Sequence, residues 1–293
     1  MRLNQCILGL AACAMGLGAA DPALIRLMPV DPQMVAGLDV ERARNSPFGQ
    51  RILAEMKEEG EGFRKLAEST GFDPRRDLRE IVMAAAAGSK DGLMAARGSF
   101  DGARIGRFLE AEGGKKELYR GVEVWSGKGG EDAPSFAFAD SSLALFGSAA
   151  QVKEAINRHL AGGGGWAGPL AARVNDWGGR HDAWFVSAVP FSEMGKGQGG
   201  LVPGGLNLDS IREANVGVRF GPAVDVAGEL TMRSPQDAAA LADLARFLVS
   251  MVNANAQKPG MEELGKIAES FQAATSGEMM KFSLSISEQQ LER

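Results

Sequence analysis

Side chains able to do chemistry are few in this chain and poorly grouped. It has two histidines, His159 and His181, and two cysteines, Cys6 and Cys13, among 293 residues. A His-rich metal centre is therefore excluded, no H-E-x-x-H occurs, and neither a metal nor a cofactor is expected. His181 stands in "GGRHDAW" beside Arg180 and Asp182. It is the candidate base of a small hydrolytic site, although no nucleophile of defined geometry accompanies it. His159 lies near a helix end, where a cation suits the dipole. There is no G-x-S-x-G elbow and no Ser with Lys three residues on, so no catalytic residue is assigned.

Two glycine patterns resemble phosphate cradles. "GMEELGKI" has the spacing of a P-loop, but Ile267 replaces the Ser or Thr that would hold magnesium and no strand precedes it. "AGGGGWAGPLAARV" contains Gly163-x-Gly165-x-x-Gly168, yet a helix ending near "NRHLAG" comes before it. A dinucleotide site needs a strand there, so the run reads as a joint. "GFDPRRDLREI" carries Arg75 and Arg76, which could clamp a carboxylate or phosphate, although its alternating signs also make a solvated network. Three of the four tryptophans, Trp166, Trp177 and Trp184, lie within nineteen residues and mark an apolar groove or a buried contact. The candidate ligand-binding set is thus Arg75, Arg76, Trp166, Trp177, His181 and Trp184.

These residues must be positioned by the elements that periodicity reveals. "MRLNQCILGLAACAMGLGAA" has one Arg, an apolar run and then small residues, the layout of a secretory signal with cleavage after Ala20. The alternative is a lipobox at "LAAC", with Cys13 lipidated and the chain anchored at the envelope. Both cysteines lie in this leader, so a chain cut at Ala20 has neither a disulfide nor a thiol site. The net charge of −5 argues against a nucleic-acid partner. No apolar run after the leader reaches membrane-spanning length.

Residues 33–40 read as a strand and 46–70 as a helix, with Gly60 and Gly62 weakening its middle. "LREIVMAAAA" and "DGLMAARGSF" form a hairpin, Asp101 caps a helix, and "ELYRGVEVWSG" alternates as one strand. A further hairpin turns at "DSS" and leads to the helix "AAQVKEAINRHLAG". The second half repeats much of this plan, including a capped helix containing "RFL" at Arg107 to Leu109 and again at Arg246 to Leu248. The expected architecture is α+β, with two related halves. Each would be a mainly antiparallel sheet with helices on one face, in a split βαβ, ferredoxin-like order. The boundaries are signal 1–20, first repeat 21–161, Gly-rich linker 162–168 and second repeat 169–293. Glycines at 192–207 mark a loop.

"TGFDPRRDLREIV", "SLALFGSAAQVKEAINRHL" and "KFSLSISEQQL" resemble a diffuse group of exported bacterial proteins of unknown function with repeated strand-helix units. The resemblance implies an extracytoplasmic α+β protein and supplies no catalytic residue. The leading expectation is an exported, non-enzymatic binding or interaction protein with an envelope protein as partner. The alternatives are a periplasmic carrier of an apolar small molecule, which would need a large dry cavity, and a hydrolase using His181 and Asp182.

Overall fold

In the strands, period-two alternation sorts side chains onto two faces, and the pairing register says which face each one joins. The computed structural model describes residues 20–56, 67–86, 92–127, 133–163, 166–168, 170–190, 210–258, 262–287 and 290. The leader through Ala19, the middle of the helix expected over 46–70 (57–66), the glycine loop 192–207 and the start of "GMEELGKI" lie outside them. Strands β1 (Met34–Asp39), β2 (Leu78–Ala85), β3 (Gly92–Gly98), β4 (Lys115–Tyr119), β5 (Val122–Ser126), β6 (Ser135–Asp140) and β7 (Leu143–Gly147) belong to the first half. Strands β8 (Ala183–Ser187), β9 (Ile211–Phe220), β10 (Ala223–Met232), β11 (Gln272–Ser276) and β12 (Met279–Ser287) belong to the second.

All twelve form one sheet in the order β11-β12-β10-β9-β8-β1-β2-β3-β7-β6-β5-β4. The pairs are antiparallel, and the halves meet where β1 runs against β8. Each half has a three-strand meander, a helical crossing and then antiparallel strands that return beside the third strand: β7 beside β3, and β12 beside β10. The chain is therefore α+β with a large antiparallel sheet.

Helices α1 (Pro22–Ile25), α6 (Ala149–Leu160) and α7 (Ala171–Arg180) cover one face. Their Leu24, Val152, Ile156, Val174 and Trp177 pack with Val35, Val82, Leu93, Leu145, Trp184 and Val186 in the main core. On the other face, Ile105 of α5 (Gly102–Ala111) joins Ala96, Phe100, Phe72, Ile81 and Phe138. At the far flank of that face, Ala238 of α8 (Pro235–Asn255) packs with Ile211 and Met232, and α9 (Glu262–Glu269) follows. Helices thus lie on both faces rather than on one. The apolar run "LREIVMAAAA" is the reason: it puts apolar side chains on both sides of β2, and each side needs cover. The strand order also differs from the ferredoxin-like one: β2 pairs directly and antiparallel with β1, and β9 with β8, whereas a split βαβ inserts another strand between the first and second.

Local corrections have equally local causes. "ELYRGVEVWSG" is a hairpin and not one strand. Arg120 and Gly121 adopt φ of 51° and 87°, the left-handed pair that a two-residue turn requires. Residues 40–45 form a helix, α2 (Val40–Asn45), because the Asp39 side chain accepts from the Arg42 N–H and caps it. The long helix expected over 46–70 is described as α3 (Pro47–Met56) and a helical stretch at 67–70. A short helix, α4 (Pro74–Asp77), follows. Among the described residues, no helix is long and apolar enough to cross a membrane.

Candidate functional site

The register builds two parallel rows of apolar side chains across the face that carries α5 and α8. One row runs Leu38, Ile81, Ala96, Ala144, Phe138 from β1 to β6. It is roofed by Phe72 and Phe100, which lie 5.5 Å apart, and by Ile105 of α5. The next row, two residues along each strand, runs Phe185, Ala36, Met83, Met94, Phe146, Phe136 from β8 to β6. No described helix roofs this second row, and Met83 is 43% exposed.

A cavity of about 510 Å³ lies over the second row. Its walls include Met34, Ala36, Met83, Ala85, Met94, Phe146 and Phe185, with Pro134 and Ser148 at the rim. The Ser148 hydroxyl already caps α6 through the Gln151 N–H at 3.4 Å, so the described lining is almost wholly apolar. This volume falls in the range of roughly 300–1,000 Å³ usual for small-molecule sites. Three methionines give the walls adaptable, polarizable surface, and such side chains fit ligands of varied shape. Phe146 packs against Phe136 in a tilted pair, with ring centroids 4.6 Å apart. Phe136 also borders a smaller cavity of about 260 Å³ beside Trp125 and Leu109, so the aromatic pair separates the two spaces.

The residues singled out from the sequence lie elsewhere. Arg75 is held by Asp73, with Nη2 to Oδ2 at 2.8 Å, and Arg76 by Asp77, with Nε to Oδ1 at 2.7 Å. The guanidiniums hold both carboxyls below their usual pKa. The cluster is a set of self-satisfied pairs around α4 and presents no clamp for a ligand. The Trp166 indole N–H donates to the Pro29 carbonyl at 2.9 Å. Trp184 is buried against Gly37 and Gly178 in the main core, on the sheet face opposite the cavity.

His181 stacks on Trp177 with ring centroids 4.7 Å apart, and its Nδ1 lies 3.0 Å from the Trp177 carbonyl oxygen. The ring sits directly over Gly217, where a Cβ would collide with it. Burial holds the imidazole below its usual pKa, and Arg180 and Arg219 add to that shift. The neighbouring Asp182 carboxylate is taken up by Arg42 Nη1 at 2.9 Å and the Phe220 N–H at 2.7 Å. The two side chains serve different partners and do not form the acid–base pair sought in the sequence. Trp177, His181 and Trp184 thus converge as packing around α7, apart from the cavity.

Sequence reasoning passed over Met34, Met83, Met94, Phe146 and Phe185. Their signal was present in strands that are apolar at both parities, where one face is already accounted for by the core. A second apolar surface lies on α8: Leu244, Phe247, Leu248 and Met251 recur at helical spacing, and Phe247 is 58% exposed. Among the described residues, no three metal-ligating side chains converge.

No family model matches the chain, and no curated protein does. Among solved structures it is similar to crystal forms of TP0453. Form I aligns at a TM-score of 0.53 and 10% identity over 94% of this chain and 96% of that one. Form IV aligns at 0.56 and 10%, over 93% and 95%. At such identity the likeness concerns the fold alone. It extends over nearly the whole of both chains, so the single wide sheet is shared as an architecture.

Proposed function

We propose that the protein is an exported carrier or binding module that holds an apolar small molecule on the open face of its central strands. The observation that supports this reading is the second cross-strand row. Phe185, Ala36, Met83, Met94 and Phe146 stand side by side over a cavity of about 510 Å³ with no described helix upon them. Water against such a surface is released when an apolar group covers it, at roughly 25 cal/mol per Å². With no charged side chain among its described walls, the cavity favours an uncharged or aliphatic group over a phosphate or carboxylate. His181 and Asp182 are committed to packing and to the seam between the halves, so the hydrolase reading has no support from them. The Gly162–Gly163 joint ends α6, with φ of 77° and 70°. The Gly163 N–H donates to the Arg158 carbonyl at 2.8 Å, as a helix terminus requires.

Titration with N-phenyl-1-naphthylamine, an uncharged apolar fluorophore, tests the proposal. The expected result is saturable, one-to-one enhancement of its emission that is reversed by competing alkyl-chain amphiphiles below their micellar concentration. Unsaturable enhancement, or none, would overturn it.

A further inference from the structure

The backbone nitrogen of Asp21 donates to Glu80 Oε1 at 2.7 Å. Asp21 is also the residue that a signal cut after Ala20 would leave first. We propose that cleavage at this bond creates an α-ammonium already seated on Glu80, so that maturation of the chain completes an ion pair on the core face of the sheet. This step rests on the export reading and is independent of what the cavity holds.

The geometry prepares the pair on both sides. Asp21 is fixed before any cut: its Oδ1 accepts the Ala23 N–H at 2.8 Å as the cap of α1, and its Oδ2 accepts Arg97 Nε at 2.9 Å. Its nitrogen therefore cannot drift from Glu80 without losing both contacts. On the sheet, Glu80 stands between Asp39 of β1 and Arg97 of β3, its direct cross-strand neighbours. Three carboxylates, Asp21, Asp39 and Glu80, thus gather with Arg97, and Arg97 is spent on Asp21. Among the described residues, no side-chain cation forms an ion pair with Glu80. In the uncut chain, burial pushes its carboxyl up to about 7, the Asp21 and Asp39 carboxylates push the same way, and the Asp21 N–H and Arg97 oppose them.

Hydrolysis consumes one water: the Ala20 carbonyl leaves as a carboxylate and the Asp21 nitrogen takes up protons to become an ammonium. The separation of 2.7 Å already suits a charge-assisted N–H to carboxylate bond. The cut removes the bond from the Ala20 N–H to the Gly178 carbonyl, 3.0 Å, and the ion pair replaces that tether.

The signs of the pH dependence differ between the two forms. With Asp21 still in an amide, Glu80 titrates above its unfolded value. Its contribution to stability is then full below about pH 4.5 and lost as pH rises through about 7. With a free ammonium, Glu80 stays ionised and paired. The amine's own pKa is raised by its partner, so the stabilisation persists to about pH 8 and is lost only above it.

The test compares protein starting at Asp21 with protein starting at Gly18, each with Glu80 and with Glu80→Gln. The readouts are the Glu80 carboxyl carbon shift by NMR and Tm between pH 5 and 8. In the Asp21 form, the Glu80 midpoint is expected to fall by more than one pH unit relative to the Gly18 form. Glu80→Gln should lower Tm at pH 7.5 in the Asp21 form and leave it unchanged or raised in the Gly18 form. Equal midpoints, or a substitution effect of the same sign and size in both forms, would overturn the proposal. So would a native start other than Asp21 by intact mass, including a lipidated Cys13.

Discussion

Asp182→Ala is expected to lower the unfolding free energy by about 2–3 kcal/mol, read as a Tm decrease on the order of 5 °C. Residue 182 is where the two halves of the sheet are tied. Its carboxylate takes Arg42 from α2 on one oxygen and the Phe220 N–H of β9 on the other. Its carbonyl accepts the Asp39 N–H of β1 at 2.6 Å, and its own N–H donates to Val218 at 2.9 Å. Asp182 is 6% exposed, so truncation leaves a hole that water fills poorly. Losing a buried ion-pair partner can cost about 3–5 kcal/mol. Here Arg42 keeps 39% exposure and regains solvent, which places the expected loss below that range. Asp182→Asn keeps one acceptor and should cost about half as much. Chemical denaturation of the three proteins at one pH checks the order, and wild-type stability for the alanine variant would show that the seam is held by strand pairing alone.

Met94→Asp is expected to weaken binding of the naphthylamine probe by about 30-fold or more. Met94 is opposed directly by Met83 on one side and Phe146 on the other, in the middle of the open row. An aspartate there is too short to carry its charge out of the cavity. Covering it with an apolar ligand would cost about 2 kcal/mol or more in desolvation, which is about 30-fold in affinity. Met94→Leu keeps the surface apolar and should bind within a few-fold of wild type. Phe247→Asp, on the exposed stripe of α8, should leave the affinity unchanged. Equal binding by wild type and Met94→Asp would place the probe elsewhere.

The sequence foretold the α+β architecture because it depends on patterns within short windows. Strand alternation, the hairpin turn at "DSS" and the caps of the two helices that contain "RFL", at Asp101 and Ser234, are all decided by neighbours a few residues apart. What it hid depended on pairing across the sheet. Nothing in "DGLMAARGSF" says that Met94 faces an open cavity while Ala96, two residues on, is roofed by α5. The difference comes from Phe72, Phe100 and Ile105, which reach the row of Ala96 and not that of Met94. Of the two readings open for the clustered tryptophans, the buried contact is the one the fold realises, since α7 and β8 turn Trp177 and Trp184 into the main core. Of the clamp and the solvated network that "GFDPRRDLREI" allowed, the structure has the network: the same short segment that supplies Arg75 and Arg76 also pairs them, through Asp73 and Asp77. Chemistry-bearing types were easier to notice than methionines, and the cavity is walled by methionines.

Methionine methyl resonances measure the central claim at the residues themselves. In protein labelled at the methionine methyl groups and titrated with octyl glucoside below its micellar concentration, Met34, Met83 and Met94 should shift together along one saturable curve. Buried Met28, Met232 and Met280, away from the cavity, should stay in place. A titration that moves Met251 on the α8 stripe while Met34, Met83 and Met94 remain unshifted would contradict an apolar site on the central strands.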